Sequence, residues 1–259
     1  QVGQIASGDL EATGTGIDGA NNVSIAVGDG DFQALQATEA GDENGQDNGS
    51  AFSIAESINS AEIEGLNVQT SNEQVLDVSN FNASSNSAIS INSVEVFNGA
   101  GSATAENFAA GINAASASTG VTAEFDSTNN EITLNAEDGR NINFGSNVGQ
   151  LNVDANGGDV SNDDQLFGEV SVSSSEDISF TGTGVPNVFG NFSSTETSFT
   201  TADDTGGLSS ADISSVDGAN DAIFRVDAAL SSVNELRSNL GAVQNRFEST
   251  IANIDNNVE

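Results

Sequence analysis

The chain has 259 residues and a formal net charge of −35, with 39 Asp and Glu residues against four Arg and no Lys. This charge repels nucleic acid and anionic lipid surfaces, which excludes both as binding partners. Cys, His, Met, Trp and Tyr are absent, so disulfides, thiol or imidazole metal ligands and catalysis by Cys or His are excluded too. No stretch of the sequence is apolar enough to span a membrane.

Two stretches of similar sequence predict an α/β unit in residues 1–85 and a second one in residues 86–155. In the second stretch, apolar residues alternate with polar ones around a helical segment, which is the pattern of half-buried strands. The alternating apolar positions are Val94, Val96, Val121, Ala123, Phe125, Ile132, Leu134, Ile142 and Phe144. One amphipathic helix laid on a small sheet would close a core that neither could close alone.

Each unit is expected to contain one short helix, near residues 51–60 in the first and 104–115 in the second. An Ile-Asn pair lies in each helical segment, and the four residues are Ile58, Asn59, Ile112 and Asn113. Because Asn tolerates the backbone of a helix end, we interpret both Asn residues as carboxyl-terminal caps rather than as binding residues.

Residues 156–207 lose the helical period and are rich in Ser, Thr, Gly and Asp. Short strands are predicted around the apolar residues of this segment, with Pro186 in a turn. Those apolar residues are Val170, Val172, Ile178, Phe180, Val188, Phe192 and Phe199. We interpret the segment as a β-rich return passage through the outer part of the protein.

The last segment, residues 208–259, is predicted to be a long amphipathic helix, because its apolar residues recur at steps of three and four. They form one stripe, which consists of Ile223, Val226, Leu230, Val233, Leu236, Leu240, Val243, Phe247, Ile251, Ile254 and Val258. Such a stripe needs partner helices, and Arg237, Arg246 and Glu248 are candidates for polar contacts between helices. No second helix of this length is expected in the chain, so the partner would come from elsewhere.

The predicted fold class is therefore α+β: a long amphipathic rod helix at the carboxyl terminus, with small β-rich outer domains that each contain a short helix. The charge follows this division. Residues 221–259 contain six carboxylates and three Arg, whereas the upstream part contains one cation, Arg140. A nearly neutral segment suits packing against other helices, and an acidic one stays solvated and repels its copies. The excess of carboxylates is also typical of a halophilic or marine source.

The block LGAVQNRFESTI, Leu240–Ile251, resembles the carboxyl-terminal rod helix of bacterial flagellins, and the two Ile-Asn pairs resemble the flagellin IN repeat. The resemblance implies a secreted, extracellular structural subunit of the flagellar filament that is not an enzyme and needs no cofactor. It implies other flagellin subunits as partners, together with an amino-terminal rod helix missing from this chain, an export chaperone and a filament cap.

The sequence gives weaker support for two other kinds of site, a nucleotide site and a calcium site. Gly14, Gly16 and Gly19 form a G-x-G-x-x-G sequence, but no buried strand precedes it, so we do not predict a nucleotide site. Acidic loops offer oxygen ligands for calcium without EF-hand spacing; they contain Asp29, Asp31, Asp42, Glu43, Asp47, Asp163 and Asp164. Solvated loops are the preferred interpretation, so no metal site is predicted. The alternative function is a secreted calcium- or glycan-binding adhesin module.

Overall fold

The computed structural model describes residues 6–79, 81, 88–98, 104–145, 154–155, 158–160 and 163–200, together with nine separate positions between 222 and 246. The strands and helices of the described chain are arranged around two hydrophobic cores. One core is built from residues near both ends of the 6–200 region, and the other from the residues between them.

The first core lies partly under a three-stranded antiparallel sheet. Its strands are β1 (Ala6–Glu11), β4 (Asn67–Ser71) and β14 (Glu169–Ser174). Strand β14 is central and pairs with both others. Helix α1 (Ala51–Ser60) packs on β4 and β14, and its Ile54 and Ile58 are buried with Leu10 and Val170. The spacing of four residues places Ile54 and Ile58 on one face of the helix.

A four-stranded antiparallel sheet completes the first core. Its strands, in spatial order, are β16 (Glu196–Phe199), β15 (Ile178–Thr181), β2 (Ser24–Val27) and β3 (Gln33–Ala34). A single helical turn, α3 (Val185–Val188), follows β15. Phe180, Phe189, Phe192 and Phe199 meet beside it with ring centroids 5.7 to 6.4 Å apart, mostly edge to face or tilted. These are the distances at which aromatic pairs attract.

The second core is covered by a five-stranded antiparallel sheet. Its strands, in spatial order, are β12 (Gly158–Asp159), β11 (Asp154–Ala155), β5 (Glu73–Asp77), β9 (Glu131–Asn135) and β8 (Thr122–Asp126). Helix α2 (Ala105–Thr119) packs on β8 and on the hairpin formed by β6 (Ile89–Ile91) and β7 (Val94–Phe97). A short pair, β10 (Ile142–Asn143) with β13 (Gln165–Leu166), closes the far side.

The second core is inserted into the first. Its residues run from Leu76 to Leu166, between β4 and β14, and these two strands are neighbours in the three-stranded sheet. The chain therefore leaves the first core along β4, builds the second core, and returns along β14.

The predicted fold class is wrong. The described chain is β-rich, and its three helices with defined bounds have 10, 15 and 4 residues. Among the described residues there is no long helix with defined bounds at the carboxyl terminus, although the nine positions described between 222 and 246 are helical. The sheets also join distant segments, as when β1 pairs with β14 and β2 with β15. Hydrophobic periodicity reports local conformation and carries no information on such long-range pairing.

Several local predictions are confirmed. Helix α1 covers residues 51–60 as predicted, and α2 begins where expected but extends to Thr119. Both begin at a hydroxyl cap, since Ser50 accepts from the backbone N–H of Ser53 and Thr104 from that of Asn107. The predicted alternation after α2 forms β8, β9 and β10, and that before it forms β7.

Two local predictions are wrong. Neither Asn59 nor Asn113 is a carboxyl-terminal cap: Ala61 caps α1, and α2 ends at Gly120, whose φ of 71° is left-handed. Asn113 lies in the middle of α2. In the segment predicted to be strands and turns, Pro186 and Val188 instead belong to α3. Proline is accepted at the first positions of a helix because its missing N–H has no partner there.

Candidate assembly surface

An exposed apolar face lies on the helical positions described near the carboxyl terminus. Val226, Leu230, Val233 and Leu240 are 41, 56, 52 and 56% exposed. Their steps of four, three and seven residues place them on one face of a helix. In the rest of the described chain, the large apolar side chains of comparable exposure are Phe32 at 53% and Val75 at 36%, which lie apart from each other in sequence.

The remaining stripe residues lie outside the described residues. They are Ile223, Leu236, Val243, Phe247, Ile251, Ile254 and Val258, together with the polar candidate Glu248. The other two polar candidates are described: Arg237 and Arg246 are helical and exposed. Arg237 is four residues after Val233 and three before Leu240, so it shares their face, where a cation can meet a carboxylate of a packed neighbour.

This face consists of aliphatic side chains, which can pack against another apolar surface. An aligned set of exposed aliphatic side chains marks an interaction surface, because water contact with such a patch is unfavourable. Each Leu or Val that becomes fully buried contributes about 1.5 to 3 kcal/mol.

Arg140 lies at the junction of the two cores, a role that the sequence analysis did not assign. Its side chain is 9% exposed and donates from Nε and Nη2 to the Asp138 carboxylate at 3.0 and 2.8 Å. Its Nη1 donates to the carbonyl oxygens of Asn44, before α1, and of Thr119, at the end of α2, at 3.2 and 3.4 Å. One guanidinium thus joins a loop of the first core to a helix of the second.

Hydrogen bonds set the electrostatics of the Asp138 carboxylate. Burial raises the pKa of Asp138, but hydrogen bonds from Arg140 and Gln46 and the charge of Arg140 outweigh this and hold the pKa below its ordinary value. Gln46 donates to Asp138 at 3.0 Å from the same loop as Asn44. The only signal in the sequence was that Arg140 is the single cation upstream of residue 225.

The acidic loops considered for calcium have structural partners or lie apart from one another. Asp47 accepts from the amides of Asn141 and Asn143, both at 3.2 Å, and Glu43 lies 4.0 Å from Arg140. Asp29 and Asp31 lie in the connection between β2 and β3. Within the described residues, no group of three or more carboxylates is arranged to hold a metal ion.

Three further carboxylates stabilise turns. Backbone N–H groups donate to Asp18 and to Asp126, and the Ser79 hydroxyl and N–H donate to Asp77. In each case these hydrogen bonds lower the pKa of the carboxyl, the main donors being Asn21, Thr128 and Ser79 respectively. Such Asp-led turns are typical of connections between strands.

The G-x-G-x-x-G sequence has a structural explanation. Gly14 and Gly19 lie between β1 and β2, so the motif joins two strands and does not open a helix as a nucleotide site requires. Gly14 has a φ of 79°, and a Cβ there would lie 2.5 Å from the ring of Phe167. The glycine is needed for conformation and close packing.

No helix in the described part of the chain is long and apolar enough to cross a membrane. Residues 223–259 match the family of the bacterial flagellin C-terminal helical region. The apolar face described above lies within this match.

Curated relatives agree with that match. The chain is 32% identical over 179 residues to the B-type flagellin of Pseudomonas aeruginosa, an alignment that covers 61% of this chain and 35% of the relative. Over 45 residues it is 51% identical to flagellin D of Vibrio anguillarum and 53% identical to flagellin E of Vibrio cholerae, which covers 17% of this chain and 12% of each relative. These matches confirm the resemblance to bacterial flagellins. The chain spans about a third or less of the length of these relatives.

Proposed function

We propose that this chain is the outer and carboxyl-terminal part of a flagellin, the structural subunit of the bacterial flagellar filament. The single observation that carries the proposal is the exposed apolar face at Val226, Leu230, Val233 and Leu240, inside the segment that matches the flagellin C-terminal helical region. A polymer subunit needs such a face, since burial of aliphatic side chains between copies supplies the free energy of assembly.

The charge distribution supports an outward position for the β-rich cores. The segment after residue 220 has three Arg against six carboxylates, while the chain before it has Arg140 as its one cation. Copies packed through the nearly neutral segment would keep their acidic cores apart, because like charges repel and remain hydrated. In the proposed filament, the helical segment lies in the wall and the cores lie on the exterior.

The same proposal gives the partners and location. Other flagellin subunits are the main partners, with an amino-terminal helical segment of the whole protein packed against the apolar face. An export chaperone and a filament cap follow from the family, and the location is the extracellular filament. The chain acts through shape and self-association, so no catalytic step or cofactor is part of the proposal.

The test is filament assembly in flagellin-deficient bacteria that express the protein carrying this sequence. Leu230→Ser combined with Leu240→Ser should abolish filaments or shorten them strongly, because two side chains lose about 1.5 to 3 kcal/mol each of burial free energy. Phe32→Ser is the matched control, since Phe32 is equally exposed but lies on the β-rich part. It should leave assembly unchanged.

Secretion must be measured alongside assembly. Subunits of the double variant should appear in the medium as monomers, which separates an assembly defect from an export or folding defect. Normal filaments from the double variant would refute the proposal. A calcium-dependent rise in the melting temperature with no effect of the variants on filaments would instead favour an adhesin module.

A further inference from the structure

One edge of the five-stranded sheet is formed by β8, and a side chain of α2 occupies the outward backbone groups of its Ala123. Strand β8 pairs with β9 on one side, with Ala123 opposite Leu134, and no other described strand lies on its free side. In an antiparallel pair, alternate residues direct N–H and C=O away from the partner. A free edge of this kind is a template for an added strand.

Asn113 occupies both outward groups of Ala123. Its Nδ2 donates to the Ala123 carbonyl at 2.7 Å, and its Oδ1 accepts from the Ala123 N–H at 2.8 Å. The carboxamide therefore makes the same two hydrogen bonds that a residue of a neighbouring strand would make. Both bonds are solvent-exposed, so a second strand could otherwise approach this position.

Thr119, the last residue of α2, makes a buried local contact with the residue that precedes β8. Its hydroxyl accepts from the Val121 N–H at 3.1 Å and lies 3.4 Å from the Val121 carbonyl oxygen. Val121 precedes β8 and is buried, so Ala123 is the exposed edge position that α2 occupies. Phe125 is the next outward position, and the turn held by Asp126 begins directly after it.

We propose that α2, through Asn113, closes the β8 edge at Ala123 against strand addition by a second copy of this chain. The partner excluded is another copy because an identical edge presents an equally extended, complementary set of backbone groups. Charge alone does not provide this protection. Glu124 and Asp126 repel another copy at low salt, but at about 1 M salt the Debye length is about 3 Å and the repulsion is screened. The two hydrogen bonds between Asn113 and Ala123 do not depend on this repulsion and remain in salt.

The chain supplies a matched control for Asn113. Asn59 also follows an Ile in a short helix and is also exposed, but it lies on α1, away from β8. Replacement of either Asn by Ala is compatible with the helix, since Ala has the higher helix propensity. A difference between the two variants then reports the contact with Ala123.

The experiment compares the wild-type chain with Asn113→Ala and Asn59→Ala. Amide hydrogen exchange should be at least about tenfold faster at Ala123 in Asn113→Ala, which corresponds to the loss of one hydrogen bond. The Glu124 amide, which faces β9, should change less. Sedimentation velocity in about 1 M NaCl should show concentration-dependent association of Asn113→Ala beyond that of the wild type and Asn59→Ala. Association through the carboxyl-terminal face is common to all three proteins and cancels in this comparison.

A second variant covers the case in which Asn113→Ala is poorly folded. Asn113→Asp keeps the acceptor for the Ala123 N–H and loses the donor to the Ala123 carbonyl. The exchange rate of its Ala123 amide should therefore lie between that of the wild type and that of Asn113→Ala. Unchanged exchange at Ala123, or faster exchange without added association in salt, would overturn the proposal and leave Asn113 as an ordinary tertiary contact. Failure here leaves the filament proposal untouched, because the two tests involve different surfaces.

Discussion

Replacement of Arg140 should loosen the junction between the two cores. Its guanidinium joins the Asp138 carboxylate to carbonyl oxygens at Asn44 and Thr119, which belong to different cores. Arg140→Ala leaves a carboxylate without its cation and two carbonyls without this donor. Removal of one partner from a fully buried ion pair costs about 3 to 5 kcal/mol.

The expected cost of breaking this ion pair is lower than for a fully buried one. Asp138 is 33% exposed, so water can solvate part of its charge after the substitution, and Gln46 still donates to it. We therefore expect Arg140→Ala to lower the free energy of unfolding by about 2 to 3 kcal/mol. Since Arg140 connects the cores, we also expect the unfolding transition of Arg140→Ala to be broader than that of the wild type, or to separate into two.

The assay is urea denaturation followed by far-ultraviolet circular dichroism, because the chain has no Trp or Tyr for fluorescence. Arg237→Ala is the control, since Arg237 is exposed and lies outside both cores. It should change the free energy of unfolding by less than about 0.5 kcal/mol. An Arg140→Ala protein as stable and as cooperative as this control would refute the junction role.

The pH dependence of stability should reflect the same contact. Because the pKa of Asp138 is lowered in the folded state, its contribution to the free energy of unfolding is present above about pH 4 and is lost as the pH falls through the folded pKa. The stability difference between wild type and Arg140→Ala should therefore shrink in acid titrations. Salt should stabilise the chain, because raising NaCl from about 0.01 to 1 M shortens the Debye length from about 30 to 3 Å; thermal melts with no gain would contradict the self-repulsion argument. Gly111→Ala should lower the free energy of unfolding, measured by denaturant, by about 1 to 3 kcal/mol, because the new Cβ would lie 2.1 Å from the Val96 carbonyl oxygen. Gly19→Ala is the control and should leave the free energy of unfolding unchanged, because the space around Gly19 is open.

Local structure was largely predictable from the sequence, and long-range arrangement was not. The period of 3.6 residues located α1 and α2, and the alternation of Ile132 and Leu134 located β9. Each of these signals lies within one element. The pairing of β1 with β14 joins residues more than 150 positions apart, and nothing in either strand specifies the other.

The roles of single polar residues were also only partly predictable. Asn113 was expected to cap a helix, because its type and position suit that role, but its amide reaches across to Ala123 instead. Arg140 stood out by its rarity alone. The exposed face at Leu230 and Leu240 could be read from spacing, since it depends on one helix and not on tertiary contacts.

Because the second core is inserted into the first, the sheet of the first core contains one point at which an insertion of different length is tolerated by the strand geometry. Ser71 and Glu169 lie directly opposite each other in the β4–β14 ladder, so the chain leaves and re-enters the host sheet at one point. A tight hairpin of two residues is enough to join antiparallel neighbours at that separation. Residues 72–168 thus form an insert in the geometric sense: we expect that a fold of another size at this position would leave the register of β1, β14 and β4 unchanged, although it would lose the contact between Arg140 and Asn44.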